Sequence, residues 1–264
     1  RKQFKIMSLI NFEVIDNLAI IKLNRADKLN SFIREMALEF QDRLKQCAED
    51  ANIRAVLITG EGRAFCAGQD LAEAISEDGP ELTKIVEEHY NPIIELIRKI
   101  EKPVVCAVNG VAAGAGANIA LACDIVFASK ASSFIQAFSA IGLIPDSGGT
   151  FTLPRLIGWQ KATALMMLGD KVGAEDAEKM GMIYKAIEAD DLMEEATKVA
   201  TRLSKMATYG LGLTKRALNA SFTNDLKSQL ALEGELQTLA GQSYDYKEGV
   251  NAFLEKRKPN YKGN

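Results

Sequence analysis

Residues 103–128, PVVCAVNGVAAGAGANIALACDIVFA, decide the fold. Pro103 opens a short apolar run, Val104–Val108, which Asn109-Gly110 closes, so the run reads as a buried strand. Small residues follow, then a helix to about Ala122, then a second apolar run, Ile125–Ala128. Strand, glycine turn, buried helix and strand together mark an α/β protein, with a largely parallel sheet covered on both faces. The stretch approaches the ~20 residues that span a bilayer. However, it contains Asn109, Asn118, Gly110, Gly114 and Gly116 and stops at Asp124, which favours the soluble reading.

The same alternation extends upstream. Phe12–Ile15 and Leu18–Leu23 read as a hairpin turning at Asp16-Asn17. Asn30 is the expected cap of a helix whose buried face carries Ile33, Met36, Phe40, Leu44 and Cys47. Arg54–Thr59 reads as a strand ended by Gly60-Glu61-Gly62. The segment Ala64–Asp70 reads as a loop, with a helix from about Asp70, a polar mobile loop at residues 78–81, and a helix ending over Ile94–Ile100. Beyond residue 190 the pattern is helical only: Leu192–Met206 and Leu226–Leu239, separated around Gly210–Gly212. We therefore expect a core over residues 1–190 and a helical region over 191–264, which folds back on the core or packs on another subunit. No period of 20–50 residues repeats.

The 264 residues suit one large domain or two small ones. A near balance of 32 basic and 35 acidic residues gives no pull toward nucleic acid or an anionic membrane. With 47% hydrophobic residues, disorder is excluded as the dominant state. Cys47, Cys66, Cys106 and Cys123 form no CxxC pair, which argues against a zinc site or a disulfide scaffold and suits reduced cytosolic thiols. The basic start RKQFKI lacks a long apolar segment, so a cytoplasmic protein is expected, with Met7 a candidate natural start.

Three loops can carry chemistry. Gly114-Ala115-Gly116 supplies GxG, but Ile119 stands where a dinucleotide fingerprint needs Gly or Ala, and Asp124 is too close to be its ribose acid. Small residues there admit a ligand close to the backbone; close helix–sheet packing explains them equally well. The Ala64–Asp70 segment also follows a strand. Main-chain N–H groups from the two loops could hold one oxyanion, often worth ~3–4 kcal/mol per donor in catalysis. In the third loop, Ile144–Thr150, Asp146 reads as a carboxylate general base, with a helix cap or turn acid as the plainer alternative. Ser147 lacks the GxSxG setting of a nucleophile. The single histidine, His89, sits among Glu87 and Glu88 and reads as a solvated surface residue, and Cys66 as a small buried thiol.

Taken in order, Leu23-Asn24-Arg25, the segment Ala64–Leu71, Lys102 to Asp124, Pro145 to Leu153, Glu248-Gly249-Val250 and the tail Phe253–Lys258 resemble the enoyl-CoA hydratase/isomerase (crotonase) superfamily. The resemblance implies a spiral of ββα units, a helical C-terminal trimerisation region, and a homotrimer or dimer of trimers. It implies an acyl-CoA substrate, with coenzyme A entering only as part of it, and no metal or other cofactor. The oxyanion hole falls on the N–H groups of Gln69 and Ala115. Ala67, Gly68, Asp70, Leu71, Gly114, Gly116, Asn118 and Phe138 fall around the substrate, and Arg25, Lys28 and Lys256 toward its CoA moiety.

Two departures bear on the reaction. Hydratases of the superfamily carry two glutamates; here Asn118 and Phe138 stand at those positions, and neither can activate water. Ala26 replaces a frequent proline, and Ala72 stands where some hydratases carry lysine. An acid at Asp146 is the pattern of superfamily isomerases. The loops look most like those that turn ring-1,2-epoxyphenylacetyl-CoA into an oxepin thioester and can move a 3,4 double bond to 2,3. An enoyl-CoA hydratase and a non-catalytic CoA- or RNA-binding protein are the alternatives.

Overall fold

The computed structural model describes residues 8–264; the basic start through Met7 lies outside them. The hairpin forms from β1 (Ile10–Ile15) and β2 (Leu18–Leu23), paired antiparallel. Helix α1 (Arg34–Glu49) follows, then β3 (Ala55–Gly60) and β4 (Ala64–Cys66). After α2 (Leu71–Ala74) the chain runs helically through α3 (Leu82–Lys84), a π-wound segment Ile85–Tyr90 and α4 (Asn91–Lys99). Then come β5 (Val104–Val108), β6 (Val111–Ala113), α5 (Ala115–Leu121), β7 (Ile125–Ser129) and β8 (Ser133–Ile135). The remainder is α6 (Gly149–Ile157), α7 (Trp159–Leu168), β9 (Lys171–Gly173), α8 (Ala174–Lys179), β10 (Lys185–Ile187), α9 (Leu192–Ser204), α10 (Thr208–Ser221), α11 (Leu226–Gln242) and α12 (Tyr244–Leu254).

Successive ββα units distribute their strands between two sheets. The larger has order β1-β2-β3-β5-β7-β10, parallel from β2 onward, and the smaller β4-β6-β8-β9, parallel across its first three strands. This is the α/β spiral the sequence implies, but with two sheets rather than one. Strands β4 and β6 lie in segments that read as loops, because three residues are too few to show a two-residue period.

Alternation explains the burial of the larger sheet. Ala19, Ile21, Val56, Ile58, Val104, Cys106 and Val126 face one core, together with α1 and α5. Leu18, Ile20, Ala55, Leu57, Val105, Ala107 and Phe127 face the other, closed by Leu192, Ala196 and Ala200 of α9. The helical region thus folds back on the core. Lys215 of α10 fixes it further, donating to Asp124 (2.8 Å) and to the Ile97 carbonyl (2.7 Å). Asp124 also accepts from Arg98 and from the Val104 amide, so it is structural, as its position at the head of β7 suggests.

Three local expectations are corrected. Asn30 caps no helix: it is fully buried, and its side chain ties the Arg25 amide to the carbonyls of Glu61 and Ala64. Gly210 and Gly212 do not separate two helices but lie inside α10, where a Cβ on Gly212 would meet the Glu101 carbonyl at 2.3 Å, so close packing selects the glycine. His89 is not solvated but fully buried in the π-wound segment. There its ring Nε2 stands 3.1 Å from Arg34 Nη1, and burial, then the Arg34 charge, hold its pKa below the ordinary value.

Candidate active site

The strands β4, β6 and β8 run parallel, so the residues following each emerge at one edge of the smaller sheet. They enclose a cavity of about 170 Å³, closed on its other sides by α2, α3, the π-wound segment and the Asp146 loop. Ala67, Gly68, Gln69 and Leu71 line it from one strand end, Gly114 and Ala115 from the second, and Ala137 and Phe138 from the third. Leu82, Ile85 and Tyr90 complete an apolar wall.

Backbone pairing aims two N–H groups at this edge. Phe32 bonds the peptides flanking Gln69: its N–H reaches the Gly68 carbonyl at 2.7 Å, and its carbonyl accepts the Asp70 amide at 2.8 Å. In a trans peptide the N–H lies opposite the preceding carbonyl, so the Gln69 N–H points away from Phe32. The same logic holds at Ala115. The Gly114 carbonyl accepts the Asn118 amide into α5, which turns the Ala115 N–H outward from the first turn. Neither N–H has a hydrogen-bond partner among the described residues. Gly68 (φ 89°) brings the two loops together: a Cβ built on it would stand 3.5 Å from the Ala115 nitrogen. Gly114, at φ 54° and ψ −126°, holds a conformation a side chain would strain.

Among the described residues, Asp146 is the only carboxylate that lines the cavity. Burial pushes its carboxyl above the usual range, opposed by the Ser147 hydroxyl, which donates to Oδ1 at 2.8 Å. Ser147→Ala therefore moves the acid limb of the rate profile of a carboxylate-dependent reaction to higher pH; a kcat/KM profile against pH checks it. The loop is tethered from below. Asn118 donates to the Asp146 carbonyl at 2.9 Å and accepts from Gln136 at 2.8 Å. Gly149 leaves room for this amide, since a Cβ there would meet Asn118 Nδ2 at 2.4 Å.

The other expected site residues are placed as follows. Asn118 and Gly116 do not line the cavity: Asn118 is spent on the Asp146 tether, and Gly116 packs on Cys66, whose thiol burial pushes up to about 12. Asp70 does not line it either. It caps α2 through the Ala72 and Glu73 amides and pairs with Arg25 at 2.7 Å. Burial alone would raise its pKa, but Arg25 and these amides hold it below the ordinary value. Arg25 is also engaged by Ser31, at 3.0 Å to both its carbonyl and its hydroxyl. Lys28 and Lys256 are exposed.

Sequence reasoning missed Tyr90 and Glu73. Tyr90 lines the cavity at 1% exposure, and its hydroxyl donates to Gln69 Oε1 at 2.8 Å. Nothing in the residues around Tyr90 marks it; the π winding that turns it inward has no sequence signature. A wider groove of about 590 Å³ between the last helices also holds a carboxylate, Asp245. Its oxygens accept the Lys262 and Gly263 amides at 2.6 and 2.9 Å, tying the end of the chain to α12. Among the described residues, no helix is long and apolar enough to cross a membrane.

Two inward N–H groups, one raised carboxylate and an apolar chamber can polarise a carbonyl and move a proton beside it. Known proteins resemble the chain over nearly its whole length. The 1,2-epoxyphenylacetyl-CoA isomerase of Escherichia coli strain K12 is 47% identical over 97% of this chain and 99% of its own length. A probable enoyl-CoA hydratase of Rhodobacter capsulatus is 42% identical over 96% and 98%. The solved structure of an enoyl-CoA hydratase from Bacillus anthracis superposes with a TM-score of 0.90 at 32% identity, covering 97% of this chain and all of that one. The model of the enoyl-CoA hydratase/isomerase family matches residues 13–264, and this chain, with its ββα spiral and its chamber at the ends of β4, β6 and β8, belongs to that family.

Proposed function

We propose that the chain is an acyl-CoA isomerase, acting on a ring-1,2-epoxyphenylacetyl thioester, on 3-enoyl thioesters, or on both. The observation that carries the reading is Asp146, the one carboxylate among the described residues that line the cavity, set in apolar walls. Hydration needs groups that activate water and protonate carbon. Isomerisation needs one base that takes a proton and returns it elsewhere. The thioester oxygen lies against the Gln69 and Ala115 N–H groups, which stabilise the enolate. For a 3-enoyl thioester, Asp146 removes a proton from the α-carbon. The electron pair delocalises through the enolate and the double bond, and the same carboxyl returns the proton to the γ-carbon. No atom is gained or lost. Phe138, 6% exposed, packs beside Gly114 and keeps this chamber dry.

The cavity volume favours a ring or a short chain, since ~150 Å³ of apolar space accepts a benzene molecule. Lys28, Lys256 and Arg25 are proposed to meet the CoA moiety. A homotrimer or dimer of trimers is the proposed assembly, with Phe253 and Leu254 (83% and 72% exposed) among the apolar side chains it would cover.

Incubation with a 3-enoyl-CoA, followed by ultraviolet absorption and mass, tests the reading, with the aryl epoxide thioester in parallel. Conjugation or rearrangement at unchanged mass is expected. Gain of one water would establish the hydratase that the name of the Rhodobacter capsulatus relative suggests. Binding of both thioesters without change would make the chain a CoA-binding protein.

A further inference from the structure

We propose that Tyr90 and the side chain of Gln69 act together as positioning residues for the Gln69 N–H, a role that rests on the oxyanion site proposed above. Gln69 is unusual among the groups around the cavity because its backbone faces the chamber while its side chain is held at both ends. Oε1 accepts from the Tyr90 hydroxyl at 2.8 Å, and Nε2 donates to Glu73 Oε2 at 2.9 Å. An acceptor facing a hydroxyl and a donor facing a carboxylate fix the amide in one orientation, since the flipped amide would set its oxygen against Glu73. Glu73 is itself anchored, accepting the Arg34 amide at the head of α1 at 2.9 Å. The chain of contacts therefore runs from α1 through Glu73 and Gln69 to the cavity wall.

Tyr90 is set by the π winding. Ile85, His89 and Tyr90 are all buried, and carbonyls of the wound segment are taken up from outside: Gln41 donates to Glu88 O at 2.7 Å and His89 O at 3.1 Å. The ring of Tyr90 packs edge-on against Phe32, at 6.0 Å between centroids. Phe32 is the residue whose backbone bonds orient the Gln69 peptide. Tyr90 thus braces that peptide twice, through the Gln69 side chain and through the Phe32 ring. An oxyanion donor loses effect when displaced by a fraction of an ångström, which is why the brace acts on catalysis rather than on binding.

The test uses a saturated acyl-CoA labelled with ¹³C at the thioester carbonyl, which binds but cannot isomerise. The carbonyl stretch of the bound ligand is read by infrared difference in the parent, Tyr90→Phe, Gln69→Ala and the double variant. In the parent the stretch falls on binding. In Tyr90→Phe the fall is reduced at saturating ligand, and turnover of an isomerisable thioester drops about fivefold, the loss expected for one hydrogen bond, with the dissociation constant of the labelled ligand held. Gln69→Ala shows the same reduction, and the double variant is no worse than Gln69→Ala alone, because both act through one contact. A parent-sized fall in Tyr90→Phe overturns the proposal, as do losses that add in the double variant. If Tyr90→Phe does not fold, a parent-sized fall in Gln69→Ala overturns it alone. No fall in the parent itself would instead remove the oxyanion site.

Discussion

Asp146→Asn lowers turnover by about 10²- to 10⁴-fold, the range general acid–base groups supply, and leaves acyl-CoA affinity nearly unchanged. The amide keeps the shape and the acceptor for the Ser147 hydroxyl, which donates to Oδ1 in the parent. It cannot take a proton from carbon. Stability moves the other way. Burial raises the Asp146 carboxyl above its unfolded value, so the folded state holds this proton more tightly than the unfolded chain does. The associated stability is present at low pH and declines as pH rises from the ordinary carboxyl range through the raised value. Above the raised value the parent keeps an ionised carboxylate in a poor environment, and the amide removes that cost. Asp146→Asn should melt no lower than the parent at pH 7. Single-turnover kinetics with 3-enoyl-CoA, alongside calorimetry at neutral pH, give both readings. Undiminished turnover would remove Asp146 from the chemistry, and a large fall in melting temperature would make its role structural.

Gly68→Ala is the second large effect. Its φ of 89° lies where an L side chain is strained, and the new methyl would stand 3.0 Å from the Ala113 carbonyl and 3.5 Å from the Ala115 nitrogen. The loop must move, and with it the Gln69 N–H that follows. Loss of one oxyanion donor costs ~10²- to 10³-fold in kcat. Gly158→Ala is the matched control: its φ is 80°, no atom lies within 4 Å of its Cβ position, and it joins α6 to α7 outside the cavity. Both variants lose stability to backbone strain of ~1–3 kcal/mol, but only Gly68→Ala loses kcat beyond what its folded fraction explains. Equal specific activities of the two folded variants would show that the Gly68 conformation is merely structural.

Most strands of the larger sheet were legible because four or five apolar residues in a row, bounded by turn residues, leave few alternatives; Val104–Val108 and Leu18–Ile21 are examples. The smaller sheet was not. Ala64–Cys66 and Val111–Ala113 become strands only because each finds the other alongside, a long-range pairing with no local signature. The site divides the same way. Asp146, Gln69 and Ala115 were reached through glycine-rich loops and the resemblance those loops carry. The resemblance sets Asn118 at the substrate, whereas its amide is consumed by the Asp146 carbonyl and Gln136. Sequence marks a polar residue at a site but not which way its hydrogen bonds run. Flanking glutamates suggest solvent for His89, while the π winding turns its ring inward.

The two donors aimed at the cavity belong to the main chain. A codon change at position 115 alters a methyl group but leaves the N–H in place, unless it installs proline. Side chains that line the chamber, among them those at 138 and 146, can therefore change while the N–H at 115 stays where the backbone puts it. On the proposed reading, carbonyl polarisation rests on the backbone fold and proton transfer on one side chain, so the two can be altered separately.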